Sequence, residues 1–161
     1  MAESDQAKFK KRWVDMFKKT ANQFCVDCNK TGPRWASANL GVFVCIECSG
    51  IHRNLGVHIS FVRSVTLDYW TELQVANMET WGNSRANDYF EANVPSHIRK
   101  PNEGDSVKTK EKYIRDKYEH KRYVSAVVPL EEQPTVQQPT EQPSLFCTTL
   151  LDFLDDLTVF V

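Results

Sequence analysis

The chain has 161 residues, 41% apolar and 25% charged, with 20 Lys and Arg against 21 Asp and Glu. This suits one modest globular domain with an appendage. It excludes a membrane-spanning helix, since no stretch approaches about 18 uninterrupted apolar residues, and the lysine-rich first thirty residues hold no apolar signal core. The expectation is a soluble, cytoplasmic protein.

The near-neutral total hides a division. Residues 1–123 hold all 20 basic groups and 15 acidic ones, a net of +5, whereas residues 124–161 hold 6 acidic groups and no basic one. Pro129, Pro134, Pro139 and Pro143 punctuate that second stretch among Glu and Gln, a composition too polar to bury a core against the entropy of ordering. The expectation is a folded domain over 1–123 and a Pro/Gln-rich acidic tail over 124–161, largely disordered.

In chain order, Phe9, Trp13, Met16 and Phe17 recur at helical spacing and predict an amphipathic N-terminal helix. Gly32, Pro33 and Gly41 mark turns in the loop from Asn29 to Val44. Gly41 to Cys45 is a short apolar run suited to a strand, and Phe61 to Leu67 is another. Between them Ser49 to Gly56 predicts a short helix, with Ser49 as N-cap and Gly56 as terminator. Leu73, Ala76 and Trp81 lie on one helical segment. Ala86, Tyr89, Phe90 and Val94 lie on a second, which starts after Gly82 and Asn83 and is ended by Pro95. A last helix over about Val107 to Tyr123 carries a run of charge read as a solvated face, with Tyr113, Tyr118 and Tyr123 as packing anchors. The expected class is α+β: a small zinc-finger module with a short sheet surrounded by helices.

Four of five cysteines form Cys25-x2-Cys28, sixteen intervening residues, then Cys45-x2-Cys48. Two residues between cysteines let a tight turn aim both thiolates at one ion, and two such knuckles give a tetrahedral zinc site. Four thiolates leave no open position for activating water, so a single zinc here is expected to be structural. With those ligands in place, His52 and His58 are read as packing or hydrogen-bonding residues.

No phosphate-binding loop, dinucleotide fingerprint, zinc-protease motif or nucleophile elbow occurs in the chain. A zinc module with no nucleotide site of its own points to recognition of a macromolecule. Fingers of the GATA type share this cysteine spacing, but residues 25–66 offer Lys30, Arg34, Arg53 and Arg63 against Asp27 and Glu47, too little charge for a duplex, so no nucleic acid is expected as partner.

The pattern Cys25-x2-Cys28-x16-Cys45-x2-Cys48-x4-Arg53, with Gly32-Pro-Arg-Trp-Ala-Ser37 in the loop and Gly50-Ile-His-Arg-Asn-Leu-Gly-Val-His-Ile-Ser60 after it, resembles the ArfGAP domain. The resemblance runs from about Phe9 to Tyr123 and is closest to the small stromal-membrane-associated type. It implies a GTPase-activating protein for an Arf-family small GTPase, with Arg53 inserted into the partner's site as an arginine finger. By the same resemblance Trp35 is a contact or support beside the finger, Ile51 lies in the core or at the partner interface, and Leu67 and Asp68 contribute to partner contact, Asp68 being equally suited to cap the next helix. The alternatives are a catalytically silent zinc-containing interaction module that keeps the fold, or a GATA-like nucleic-acid-binding finger. The implied setting is vesicle trafficking, with recruitment from the cytoplasm to Golgi or endosomal membranes, and the basic last helix is a candidate face for anionic membrane. In the tail, Leu150 to Leu157 resembles a clathrin-box peptide and is a candidate for clathrin or adaptor binding.

Overall fold

The computed structural model describes residues 3–127. Helix α1 (Glu3–Lys18) buries Phe9, Trp13 and Met16 along one stripe, as their spacing predicts. A single 3-10 turn (Thr20–Gln23) leads into the first cysteine pair. Then come β1 (Trp35–Ser37), β2 (Val42–Val44), α2 (Ile46–Asn54), β3 (Val62–Ser64), α3 (Glu72–Thr80), α4 (Gly82–Phe90) and α5 (Val107–Ile114), which continues as a π-helical turn (Arg115–Glu119).

The three strands form an antiparallel sheet in the order β2-β1-β3, with Trp35 opposite Val44 and Ser64, and Ser37 opposite Val42 and Val62. Because side chains alternate across a strand, this register sorts the molecule into two cores. Ala36 and Phe43 join Phe9, Trp13, Met16, Trp70, Val75 and Met78 on one side. Val42, Val44 and Trp35 join the four cysteines, Ile51, Leu55, Phe90, Ile114 and Tyr118 on the other.

Several local expectations are corrected. Helix α2 begins three residues before Ser49, with Cys45 as its N-cap, and the buried Ser49 hydroxyl donates to Ile46 O within the helix. Strand β1 carries no periodicity that would have marked it. Thr71, not Asp68, caps α3, in a capping box with Gln74; Asp68 Oδ2 accepts from Ser64 N at 2.7 Å and closes the turn after β3. Val75 and Met78 fill the core from α3, whereas Leu73 is exposed. The last helix is not a solvated charge run, for Lys110, Asp116 and Lys117 are all buried. Tyr113, Tyr118 and Tyr123 are buried as expected.

Candidate metal centre and exposed arginine

Cys25 and Cys28 face each other across a tight turn in which Cys25 N donates to Lys30 O and Asn29 N donates to Cys25 O. Asn29 adopts φ +57°, a left-handed conformation that asparagine tolerates. The second pair belongs to α2: Cys45 precedes its first turn and accepts from Cys48 N at 3.4 Å through Sγ. All four Sγ atoms are buried and lie within 4.8 Å of one another, and those of Cys28 and Cys45 are 3.7 Å apart.

This donor set fits zinc. Four bonds of about 2.3 Å in a tetrahedron set sulfurs roughly 3.8 Å apart. Hydrogen bonds from Cys25 and the other two thiols hold Cys45 far below the usual thiol range, while Cys25 and the remaining pair push Cys48 far above it. Four thiolates crowded this closely need a cation between them to ionise together. The zinc would be held by Cys25, Cys28, Cys45 and Cys48 and would brace the knuckles and the start of α2.

Arg53 lies in the last turn of the helix that Cys45 caps and is exposed. Its guanidinium carbon stands 4.5 Å from the centre of the Trp35 ring, a cation–π stack between α2 and the half-buried first residue of β1. Ile51 is buried in the zinc-side core, and so stands behind this surface. Leu67 is 84% exposed, the most open large apolar side chain among the described residues. Asp68 is exposed beside it.

Beneath the Arg53–Trp35 pair runs a polar chain. His52 Nε2 is 2.9 Å from Asp27 Oδ2, His52 Nδ1 is 2.8 Å from Ser60 Oγ, and Ser60 Oγ is 2.8 Å from Ser37 Oγ. Asn39 sets its direction: its amide nitrogen donates to Ile59 O and its oxygen accepts from Phe61 N, so the Ser37 hydroxyl donates to that oxygen. Ser60 then donates to Ser37, and His52 bridges the two ends, with Nδ1 against Ser60 and Nε2 against the Asp27 carboxylate. A Ser, a His and an Asp thus lie in line, but all three are sealed from solvent, so they build structure and meet no substrate.

Asp27 sits between the first two cysteines of the cluster, and Oδ1 accepts from Lys117 Nζ and Tyr118 Oη. Burial alone would push its carboxyl up; Lys117 and His52 override that and hold it well below the usual carboxylate range. Lys110 Nζ, also buried, meets Glu47 Oε2 at 2.6 Å, between Cys45 and Cys48, and so ties the start of α2 to α5. Sequence reasoning missed Asp27, Ser37, Ser60, Lys110 and Lys117. Only Asp27, lying inside a Cys-x2-Cys, carried a local signal.

Comparisons with known proteins show the family and the fold. The ArfGap family profile, described as "Putative GTPase activating protein for Arf", matches residues 10–127, and the chain belongs to that family. A human relative, stromal membrane-associated protein 1, is 47% identical over 135 residues, which is 77% of this chain and 28% of the human one. A relative from Arabidopsis thaliana named "Probable ADP-ribosylation factor GTPase-activating protein AGD15" is 47% identical over 119 residues, 74% of this chain and 48% of its own. The chain thus spans a quarter to a half of these two relatives. The solved ArfGap domain of HIV-1 Rev binding protein superposes with a TM-score of 0.66 at 24% identity, covering 74% of this chain and 90% of that one, which establishes the shared fold.

Proposed function

We propose that this protein stimulates GTP hydrolysis by an Arf-family small GTPase, with Arg53 as an arginine finger supplied in trans and zinc as a structural brace. Family membership supports the activity, and the observation that carries the residue assignment is the exposed Arg53, stacked on Trp35, on the helix that Cys45 caps. A GTPase already holds the nucleotide's phosphates and magnesium and positions the attacking water, while negative charge spreads over the transferring phosphoryl group. A planar guanidinium inserted from outside donates two hydrogen bonds to that charge in a cleft that excludes water. Such fingers accelerate hydrolysis by about 10³–10⁵, or roughly 4–7 kcal/mol of barrier.

The test is single-turnover hydrolysis by GTP-loaded Arf-family proteins with wild type, Arg53→Lys and Arg53→Ala. Lysine keeps the charge and loses the fork, so both variants are expected to fall at least a hundredfold while retaining zinc and fold. Unchanged rates would overturn the assignment. A silent module would form the complex and leave hydrolysis at the partner's own rate.

Trp35 is read as the platform for Arg53, and Leu67 and Asp68 as contacts with the GTPase, Leu67 because its exposure is otherwise unexplained. Recruitment to Golgi or endosomal membranes in vesicle trafficking follows from the same reading, since Arf-family proteins are its targets. The last helix offers an anionic membrane fewer charges than its sequence suggests: Lys110 and Lys117 are buried, and Lys112, Arg115 and Arg122 pair with carboxylates. Flotation with anionic vesicles tests that contact. The clathrin or adaptor motif at Leu150 to Leu157 lies outside the described residues and rests on its sequence; a pull-down of clathrin heavy chain by the peptide tests it.

A further inference from the structure

Arg53 and its indole platform stand on two different elements, α2 and β1, and a finger is useful only if the two keep their relation. The polar chain lies where that relation is set. Ser37, like Trp35, belongs to β1, and residues two apart on a strand share a face, so Ser37 and Trp35 both look toward α2. His52 is the residue immediately before Arg53. From Ser37 the hydrogen bonds pass through Ser60 to His52 and end on Asp27, between metal ligands Cys25 and Cys28. Each link is within 2.9 Å, and every member is at most 1% exposed.

We propose that His52, Ser60 and Ser37 are positioning residues for Arg53, locking α2 to β1 so that the guanidinium stays seated on Trp35 and aimed outward. This rests on the reading of Arg53 as the finger. Apolar packing could hold α2 and β1 together without such a chain, and Ile51 and Leu55 at α2 already share a core with Trp35 of β1. What a contact between methyl groups does not set is rotation and axial register, because it has no direction. A hydrogen bond does, and misplacing a catalytic group by about 1 Å can lower a rate a hundredfold. Four polar groups buried in line, all satisfied, are the kind of network that specifies one arrangement.

Ser37→Ala removes the β1 end of the chain without touching Arg53, Trp35 or a metal ligand, and Ser60→Ala breaks the next link should the first variant fold poorly. Two readouts are taken on the zinc-loaded protein: the NMR order parameter of the Arg53 Nε–H, and kcat and KM for activation of a GTP-loaded Arf-family protein. The expected result is a lower order parameter at Arg53 and a kcat reduced about tenfold at unchanged KM. A merely structural role would lower thermal stability and leave both quantities where they were. Arg53→Lys is measured in parallel. If it loses activation and the serine variants change neither readout, the positioning inference is overturned and the finger stands. If the serine variants loosen Arg53 and Arg53→Lys costs no activity, the chain does position the arginine and the reading of that arginine as the finger fails.

Discussion

The Nζ of Lys117, wholly closed to solvent, lies 3.2 Å from Asp27 Oδ1 and 2.7 Å from Glu91 Oε1, so the C-terminal π-helical turn grips the first zinc knuckle and α4 at once. Asn87 Oδ1 accepts from the same ammonium at 3.0 Å. Removing one partner of a buried pair leaves an uncompensated charge, which typically costs about 3–5 kcal/mol. Lys117→Met is therefore expected to lower unfolding stability by that order in urea titrations of the zinc-loaded protein. Adding Asp27→Asn should recover part of the loss, since a buried carboxylate left with His52 and Tyr118 but without its lysine is part of what penalises the single variant. A single variant as stable as wild type would mean that the pair contributes nothing.

Metal removal should divide the molecule along its sheet. The zinc-side core has the four cysteines as members, while the core around Trp13, Phe43 and Trp70 has none. A chelator, or Cys48→Ser, is expected to abolish GTPase activation and the amide protection of α2, while α1 and α3 keep a larger share of theirs. Hydrogen exchange followed with and without zinc checks this, and identical protection patterns would contradict a bracing role.

Trp35 should matter through its ring. Trp35→Ala removes the cation–π stack, about 0.5–1 kcal/mol at a partly open site, and is expected to reduce activation roughly two- to fivefold. Trp35→Phe, which keeps a π face, should recover much of it. Equal activity of all three forms would show that the platform is idle.

Gly41 turns the chain between β1 and β2 at φ +70°, and a Cβ there would collide with the Trp81 Cβ. Gly41→Ala combines backbone strain with a clash against the base of a packed indole, so a loss of about 1–3 kcal/mol or more is expected by thermal denaturation. A stability within 0.5 kcal/mol of wild type would mean that the turn yields easily.

What could be foreseen from the residues divides by the range of the interactions. The four-cysteine cluster was legible because its signal is local: Cys-x2-Cys pairs at a fixed separation define it before any fold is known. The α1 stripe was legible for the same reason, Phe9, Trp13 and Met16 being one helical turn apart. Strand β1 was not, because Trp35-Ala-Ser37 is only three residues long and is a strand by virtue of neighbours on both sides. The buried lysines were the larger surprise. Lys110 and Lys117 look like solvated charges until Glu47 and Asp27, 63 and 90 residues away, are brought against them. Asn83 belongs with them: its side chain accepts from Phe43 N and donates to Phe24 O, stitching α4 to β2, and nothing in its own segment announces that.

Arg53 stacked on Trp35 also bears on how an encounter proceeds. A free arginine side chain has about 2 kcal/mol of rotamer entropy to lose when it is immobilised; one already lodged on an indole has surrendered part of that before a second molecule arrives. It follows that the resting posture is selective as well as convenient. A surface with concentrated negative charge gains from an arginine already held in place on its tryptophan, and one without it gains nothing.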